Sequence, residues 1–249
     1  MKYSEIGDIC DVKGGKRLPK GVNLITTPNN HPYIRVRDLN SICVAQLNNE
    51  YEYVDDETQK SISRYIVNSN DIIISIVGTI GLTAIIGKTL NNANLTENCV
   101  KLTNLTHITP EFLLLFLRSK IGQELIKKST VGAVQAKLPI KNIQAMKVPI
   151  FYDIGFNNYL KLVFTNIANN ILENQCLIHI RDSLLPKLMS GEIDVSKIDI
   201  STDKLYEPAN ESKLSAEPYN SSGSFASASK NLPSEQSSST DKLSFSEDK

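Results

Sequence analysis

The sequence predicts an α+β fold: one globular domain with a mixed β-sheet over residues 1–155, a long coiled-coil-forming helix over 156–195, and a disordered Ser-rich tail over 196–249. Three observations carry that reading. The run Ile72-Ile73-Ile74-Ser75-Ile76-Val77 is β-rich and almost wholly apolar, the pattern of a strand buried on both faces. From Asn157 to Ser190 there is no glycine and a single proline, Pro186, and apolar residues recur three and four apart. Beyond about residue 201 serine dominates and large apolar residues are few, with Pro208, Pro218 and Pro233 spread through the stretch. Such a segment cannot bury enough surface to offset its chain entropy.

The elements follow in chain order. Gly14-Gly15-Lys16-Arg17-Leu18-Pro19-Lys20-Gly21 reads as a flexible basic loop. Tyr33-Ile34-Arg35-Val36-Arg37 alternates, which predicts a strand carrying both arginines on one side. Asp71 opens the apolar run, Gly78-Thr79-Ile80-Gly81 supplies a turn, and Leu82-Thr83-Ala84-Ile85-Ile86 returns to Gly87, a β-hairpin. Asn91 to Asn98 reads as a polar loop before a strand at Val100-Lys101-Leu102-Thr103. Thr109-Pro110-Glu111 opens a helix: Thr109 can cap it, Pro110 suits its first position, and Glu111 complements its dipole. Phe112, Leu115, Phe116 and the run to Ile126 give that helix its apolar face. Gly132-Ala133-Val134-Gln135-Ala136-Lys137 is a second short loop. The long helix presents Leu160, Val163, Phe164, Ile167, Ile171, Leu177, Leu184 and Leu188 as a stripe for a partner helix. Thirty residues of it would make a rod of about 45 Å.

Charge is distributed unevenly although the total is zero. Residues 201–249 carry five Lys and eight Asp or Glu, so the body is net basic. Residues 12–37 hold six basic residues and no acidic one, and residues 118–147 hold seven against Glu124 alone. Clustering of this kind is the electrostatic footprint of phosphate contact. An acidic cluster at Glu50, Glu52, Asp55, Asp56 and Glu57 opposes it.

Other classes find little support. No apolar run approaches the roughly 20 residues that span a bilayer, and the N-terminus has no apolar core of a secretory signal, so a cytoplasmic protein is expected. Cys10, Cys43, Cys99 and Cys176 are far apart and none forms C-x-x-C, which argues for reduced thiols rather than a zinc site. Gly78-Thr79-Ile80-Gly81 leads into a strand and lacks the Lys-Ser/Thr of a phosphate-binding loop. Asn30-His31-Pro32-Tyr33 resembles an amino-methyltransferase motif only superficially, with no Gly-rich cofactor loop before it. No nucleophile–base pair or carboxylate cluster forms a catalytic centre, and no metal or cofactor is expected in the chain. What remains suits recognition. Lys16, Arg17 and Lys20 offer charge to phosphates, and Arg35 and Arg37 offer guanidinium groups to phosphates or guanine edges. Thr79 sits at the hairpin tip, Asn94 and Asn98 offer amides to adenine edges, and Gln135 and Lys137 extend the set.

Several segments, in order, resemble the specificity subunit of type I restriction–modification systems. They are Glu5-Ile6-Gly7-Asp8-Ile9 with Gly14-Gly15, Tyr33 to Leu39, Asn70 to Ser75 with Gly78-Thr79-Ile80-Gly81, Thr109 to Leu113, Gly132 to Pro139, and Arg181 to Ile193. This chain has Asn70 where the family often has Gly, and Phe156-Asn157-Asn158 where it usually has Glu-Gln before the helix. The resemblance implies a non-catalytic protein that reads double-stranded DNA. A full-length subunit has two target-recognition domains separated by two antiparallel helices, and each domain reads half of a split site. Its partners would be methyltransferase subunits, which bind S-adenosylmethionine, and a restriction subunit that uses ATP and magnesium. One recognition domain and one helix are about half of that plan. The chain would then either form a homodimer through its helix or pair with a second half-subunit, with half-sites about 34–70 Å apart. The alternative is an assembly or anti-restriction protein that occupies modification subunits without reading DNA. A fragment of an enzyme with fused recognition and catalysis is disfavoured by the missing motifs.

Overall fold

Ile72, Ile73 and Ile74 are all fully buried, but Ile72 and Ile74 lie in one apolar core and Ile73 in another. Side chains alternate along a strand, so a strand that buries every residue must run between two cores. The computed structural model describes residues 2–39, 42–132, 135–151 and 153–193. The tail expected over 196–249 lies outside them.

In chain order the elements are β1 (Lys2–Glu5), α1 (Ile6–Ile9), β2 (Asp11–Gly14), β3 (Pro32–Ile34), β4 (Val44–Ala45), β5 (Glu52–Tyr53), α2 (Asp56–Ile62), β6 (Ile66–Val67), β7 (Ile72–Ser75), β8 (Thr83–Ile86), β9 (Ala93–Leu95), β10 (Cys99–Thr103), α3 (Pro110–Arg118), α4 (Lys120–Ser129), α5 (Ile140–Gln144), β11 (Lys147–Ile150) and α6 (Ile154–Met189). A five-stranded sheet runs in the order β2-β10-β7-β8-β4 and a four-stranded sheet in the order β5-β3-β9-β6, while β1 pairs with β11. Pairing is antiparallel except for β4 with β8 and β3 with β9, so both larger sheets are mixed as expected.

The five-stranded sheet is the middle layer. On one face Ile72, Ile74, Ile85, Val100 and Leu102 meet Leu113, Leu114, Leu117, Ile126, Ile143 and Phe164 of the helices. On the other, Ile73, Ala84, Ile86 and Cys99 meet Ile34, Tyr53, Val67, Ala93 and Leu95 of the second sheet. Lys101 of β10 is buried as well. Its ammonium donates to the Ile66 carbonyl at 2.5 Å and lies 3.8 Å from the Asp71 carboxylate, so the buried charge is compensated.

The expected hairpin is present as β7 and β8, and Gly78 and Gly81 take positive φ in its turn. Asn70, which stands in the family's frequent Gly position, has φ 72°. That left-handed conformation favours Gly and tolerates Asn. Thr109 caps α3, its hydroxyl accepting from Phe112 N–H.

Four expectations are corrected. The Tyr33–Arg37 strand stops at Ile34, and Val36–Leu39 is a 3₁₀ turn. The cause is Asp38, whose carboxylate accepts the Arg35 N–H at 2.8 Å while the Asp38 N–H donates to the Arg35 carbonyl. The single helix expected from Thr109 to Ile126 breaks at Ser119 into α3 and α4. Ser119 N–H terminates α3 on Leu115 and Phe116 carbonyls, and its hydroxyl accepts from Gly122 N–H to start α4. A Cβ at Gly122 would lie 2.1 Å from the Phe116 carbonyl oxygen, so this tight junction admits only Gly. The buried face of α3 also differs from the expected one: Leu113, Leu114 and Leu117 are buried, whereas Leu115 is exposed. The Asn91–Asn98 loop contains strand β9.

The fourth correction concerns the long helix. It spans 36 residues, about 54 Å, and Asp153 rather than a Glu-Gln pair caps it, accepting from Phe156 N–H at 2.6 Å. Phe112, Phe151 and Phe156 form an aromatic cluster, with ring centroids 5.5–6.5 Å apart, that seats its first turn. Leu160 and Phe164 are buried, and Ile167 and Ile171 pack on the same core, so these residues hold the helix to its own domain. Val163 is half-buried. Leu177, Leu184 and Leu188 are exposed, together with Ile178, Ile180 and Leu185. Of the expected stripe, this distal stretch is the part left open.

Phe164→Ala should therefore destabilise the chain by about 3–5 kcal/mol, and Leu115→Ala should change stability by less than about 0.5 kcal/mol. Urea titration followed by circular dichroism measures both. Equal effects would contradict the assignment of Phe164 to the core.

Candidate nucleic-acid interface

Strand register sets where the exposed loops emerge. In the five-stranded sheet Cys99 pairs with Ser75, Val100 with Gly14, and Ile74 with Thr83. The end of β2, the start of β10 and the turn between β7 and β8 therefore lie at one end of the sheet. Three hydrogen bonds tie further segments to that end. Ile76 N–H donates to the Asn98 carbonyl at 2.8 Å, Leu138 N–H donates to the Ile76 carbonyl at 3.0 Å, and Thr96 N–H donates to the Ile34 carbonyl at 3.1 Å. The 96–98 turn, the hairpin tip, the 135–138 segment and the residues after β3 are thus neighbours.

Arg17, Arg35, Arg37, Thr96, Glu97 and Asn98 line one groove there. Arg17 is 80% exposed and its Nε lies 2.6 Å from a Glu97 carboxylate oxygen. Glu97 is held in turn by the Thr96 hydroxyl at 3.0 Å. Burial pushes the Glu97 carboxyl up, but the hydrogen bonds from Arg17 and Thr96 outweigh it and leave the group below the usual carboxylate range. Arg35 and Arg37 both pair with Glu52, Arg37 at 3.2 Å, and the Arg37 Nε lies 3.4 Å from Asp38. Burial pushes the Asp38 carboxyl up to about 6 against the pull of Arg37. Arg35 and Arg37 converge on one carboxylate although they do not share a strand.

The basic loop is less free than its composition suggests. Gly15 packs against the chain, where a Cβ would lie 2.0 Å from the Thr96 carbonyl oxygen. Lys16 N–H donates to the Leu95 carbonyl, and its ammonium sits 5.5 Å from the Tyr65 ring centroid. Lys20 is exposed in a turn closed by Val22 N–H on the Pro19 carbonyl, outside the groove lining.

Thr79 is exposed at the hairpin tip. Its carbonyl accepts from the Ser75 hydroxyl at 2.6 Å, which fixes the turn. Gln135 and Lys137 are exposed, and Lys137 bridges both Val77 and Val131. Asn98 is half-buried at the groove. Asn94 is corrected: it lies in β9, only 1% exposed, with its amide directed at the Pro32 carbonyl. It supports the sheet and offers nothing to a ligand at the surface.

The sequence reading placed Lys120 and Lys127 only in a basic stretch suited to phosphates, without assigning them to a site, and it missed Gln123. They line a cleft beside the hairpin tip together with Gly78, Ile80 and Ala136. The signal was present, since Lys120 and Lys127 are seven apart and so share one face of α4. Arg118, from the same basic stretch, is structural: its guanidinium staples the Ile42 and Thr83 carbonyls at 2.6 and 2.9 Å. His31, from the superficial methyltransferase-like segment, pairs with Asp56 at 2.8 Å.

The sequence model of the type I restriction modification DNA specificity domain matches residues 1–150, more than half of the chain. The chain belongs to that family. No curated protein sequence matches it. Among solved structures, this specificity domain is similar to the type I restriction–modification S subunit from M. genitalium, at 19% identity and a TM-score of 0.53, over 76% of this chain and 46% of that one. It is also similar to a chain from a structure on assembly and conformational transition of the type I R-M system, at 16% identity and a TM-score of 0.50, over 75% and 45%. The specificity domain and its helix thus share that fold, and the chain spans less than half the length of the structures it matches. Among the described residues no helix is long and apolar enough to cross a membrane.

The two asparagines provide a test. Asn94→Asp should lower stability at pH 7 by on the order of 3 kcal/mol. The loss should shrink toward pH 4, because a buried carboxyl binds its proton more tightly than an unfolded one. Asn98→Asp should show no such pH dependence. Urea midpoints at the two pH values decide it, and matching behaviour would contradict the burial of Asn94.

Proposed function

We propose that this chain is a non-catalytic DNA sequence-recognition subunit of a type I restriction–modification complex, reading one half of a bipartite site. The observation that supports it most is the convergence, in a member of this family, of separate exposed segments at one end of the central sheet. Arg17, Asn98, Thr79, Gln135 and Lys137 come from four loops, yet register and hydrogen bonds bring them side by side. Lys120 and Lys127 flank them. Loops on a rigid sheet can enter a groove of DNA while flanking lysines neutralise phosphates.

Each phosphate contact that is lost removes about one unit from the slope of log affinity against log salt. Lys120→Ala, Lys127→Ala and Lys137→Ala together should weaken DNA binding by the complex assembled with modification subunits, at all sequences, and flatten that slope by about 2–3. Unchanged affinity and slope would favour the alternative, a protein that occupies modification subunits without reading DNA.

The helix carries the second half of the proposal. Its distal stripe of Leu177, Ile178, Leu184, Leu185 and Leu188 is exposed and is proposed to meet a partner helix. That partner is a second copy or a second half-subunit, and the paired helices dock methyltransferase subunits and set the spacing of half-sites. Light scattering should give twice the chain mass for the wild type, and Leu184→Asp with Leu188→Asp should return it to one. A wild-type monomer that also fails to join the modification subunits would contradict this role.

A further inference from the structure

We propose that Arg17, held in place by Glu97, reads the guanine of a G·C base pair within the half-site; the inference rests on the DNA-recognition reading above. Three features of the groove lead to it.

The first is which nitrogen is occupied. Arg17 gives its Nε to Glu97 at 2.6 Å, and among the described residues no hydrogen bond engages either terminal Nη. The guanidinium is anchored at its root while its outer fork stays open. A fork of that kind donates two hydrogen bonds to O6 and N7 of guanine, and no other base edge presents two acceptors so placed in the major groove.

The second is that the anchor is itself anchored. Thr96 holds the second oxygen of Glu97 at 3.0 Å, and the 96–98 turn is tied to the sheet through Ile34 and Ile76. An exposed arginine loses rotamer freedom on binding, and a carboxylate that fixes it beforehand removes part of that cost.

The third is charge. Arg17, Arg35 and Arg37 are matched by Glu97, Glu52 and Asp38. A wall that follows phosphates would leave its guanidinium groups unpaired, whereas each of these three is paired with a carboxylate. Carboxylates repel phosphates but accept hydrogen bonds from the cytosine amino group. A guanidinium already paired with a carboxylate is therefore directed at a base edge rather than at a phosphate, and the open Nη pair of Arg17 matches guanine. Arg17 is the specificity-determining residue at that base pair and Glu97 is a positioning residue.

The test uses the full chain assembled with its modification subunits, selecting bound duplexes from a randomised pool. The wild type should require guanine at one position where Arg17→Ala does not, with the other positions unchanged. Discrimination there should fall by roughly 5- to 150-fold. Replacing that guanine with 7-deazaguanine should weaken wild-type binding and leave the Arg17→Ala complex unaffected. Glu97→Ala should relax the same position only, and Glu97→Gln, which retains an acceptor for Nε, should restore part of the preference. Uniform weakening at all sequences by Arg17→Ala would overturn the proposal and place Arg17 on a phosphate. A wild-type complex that enriches no sequence would remove the DNA-recognition reading and this inference with it.

Discussion

The central strand β7 has no solvent face, and the rest of the fold answers that constraint. Ile72 and Ile74 need one apolar layer and Ile73 needs another. Helices α3, α4, α5 and the first half of α6 supply the first, and the sheet containing β3 and β9 supplies the second. Burial of side chains this large is worth about 1.5–3 kcal/mol each, so neither layer can be lost while the strand stays in place. Because β8 and β10 are hydrogen-bonded to β7 on either side, the same requirement sets their register and therefore where their connecting loops emerge.

This arrangement separates two surfaces. One end of the five-stranded sheet carries the hairpin tip, the Thr96–Asn98 turn and the groove of Arg17. The opposite end carries Asn70, Gly87 and Lys88, which line a cleft with Lys161 and Thr165 of α6. The loops at the first end share no residues with the exposed distal stripe of α6. The Thr96–Asn98 turn, Lys16 and the Lys137–Leu138 segment are each pinned by backbone hydrogen bonds, which suits a surface that must present side chains at fixed spacing. Ion pairs between the groove arginines and Glu52, Asp38 and Glu97 pre-order those side chains and offset charge that would otherwise favour any polyanion.

Local signals were legible in the sequence. The apolar hairpin, the Thr109-Pro110-Glu111 helix start and the gap-free long helix each depend on residues close together in the chain, and each is present. Tertiary effects were not legible. Strand β9 is three residues long and hidden among asparagines, and it exists because Tyr33 and Ile34, about sixty residues earlier, pair with Asn94 and Leu95. Alternation in Tyr33–Arg37 promised a strand, but the Asp38 carboxylate captured the Arg35 N–H and closed a turn. The break at Ser119 was marked only by Gly122 three residues on, and serine there both ends one helix and caps the next. Along α6 a single apolar stripe serves two purposes, packing on its own domain up to Ile171 and remaining open beyond Leu177, and spacing alone does not divide them.

The central claim is that DNA lies across the hairpin-tip end of the central sheet and not across the end beside α6. Photo-crosslinking from single accessible cysteines, in a background with Cys43 and the exposed Cys176 replaced by serine, tests it most directly. An aryl azide attached through Thr79→Cys and another through Lys88→Cys, each in the complex with modification subunits, would be irradiated on duplex DNA carrying the selected site. The account predicts crosslinks from position 79, lost on competition with unlabelled site, and none from position 88. Crosslinks from position 88 alone would contradict it.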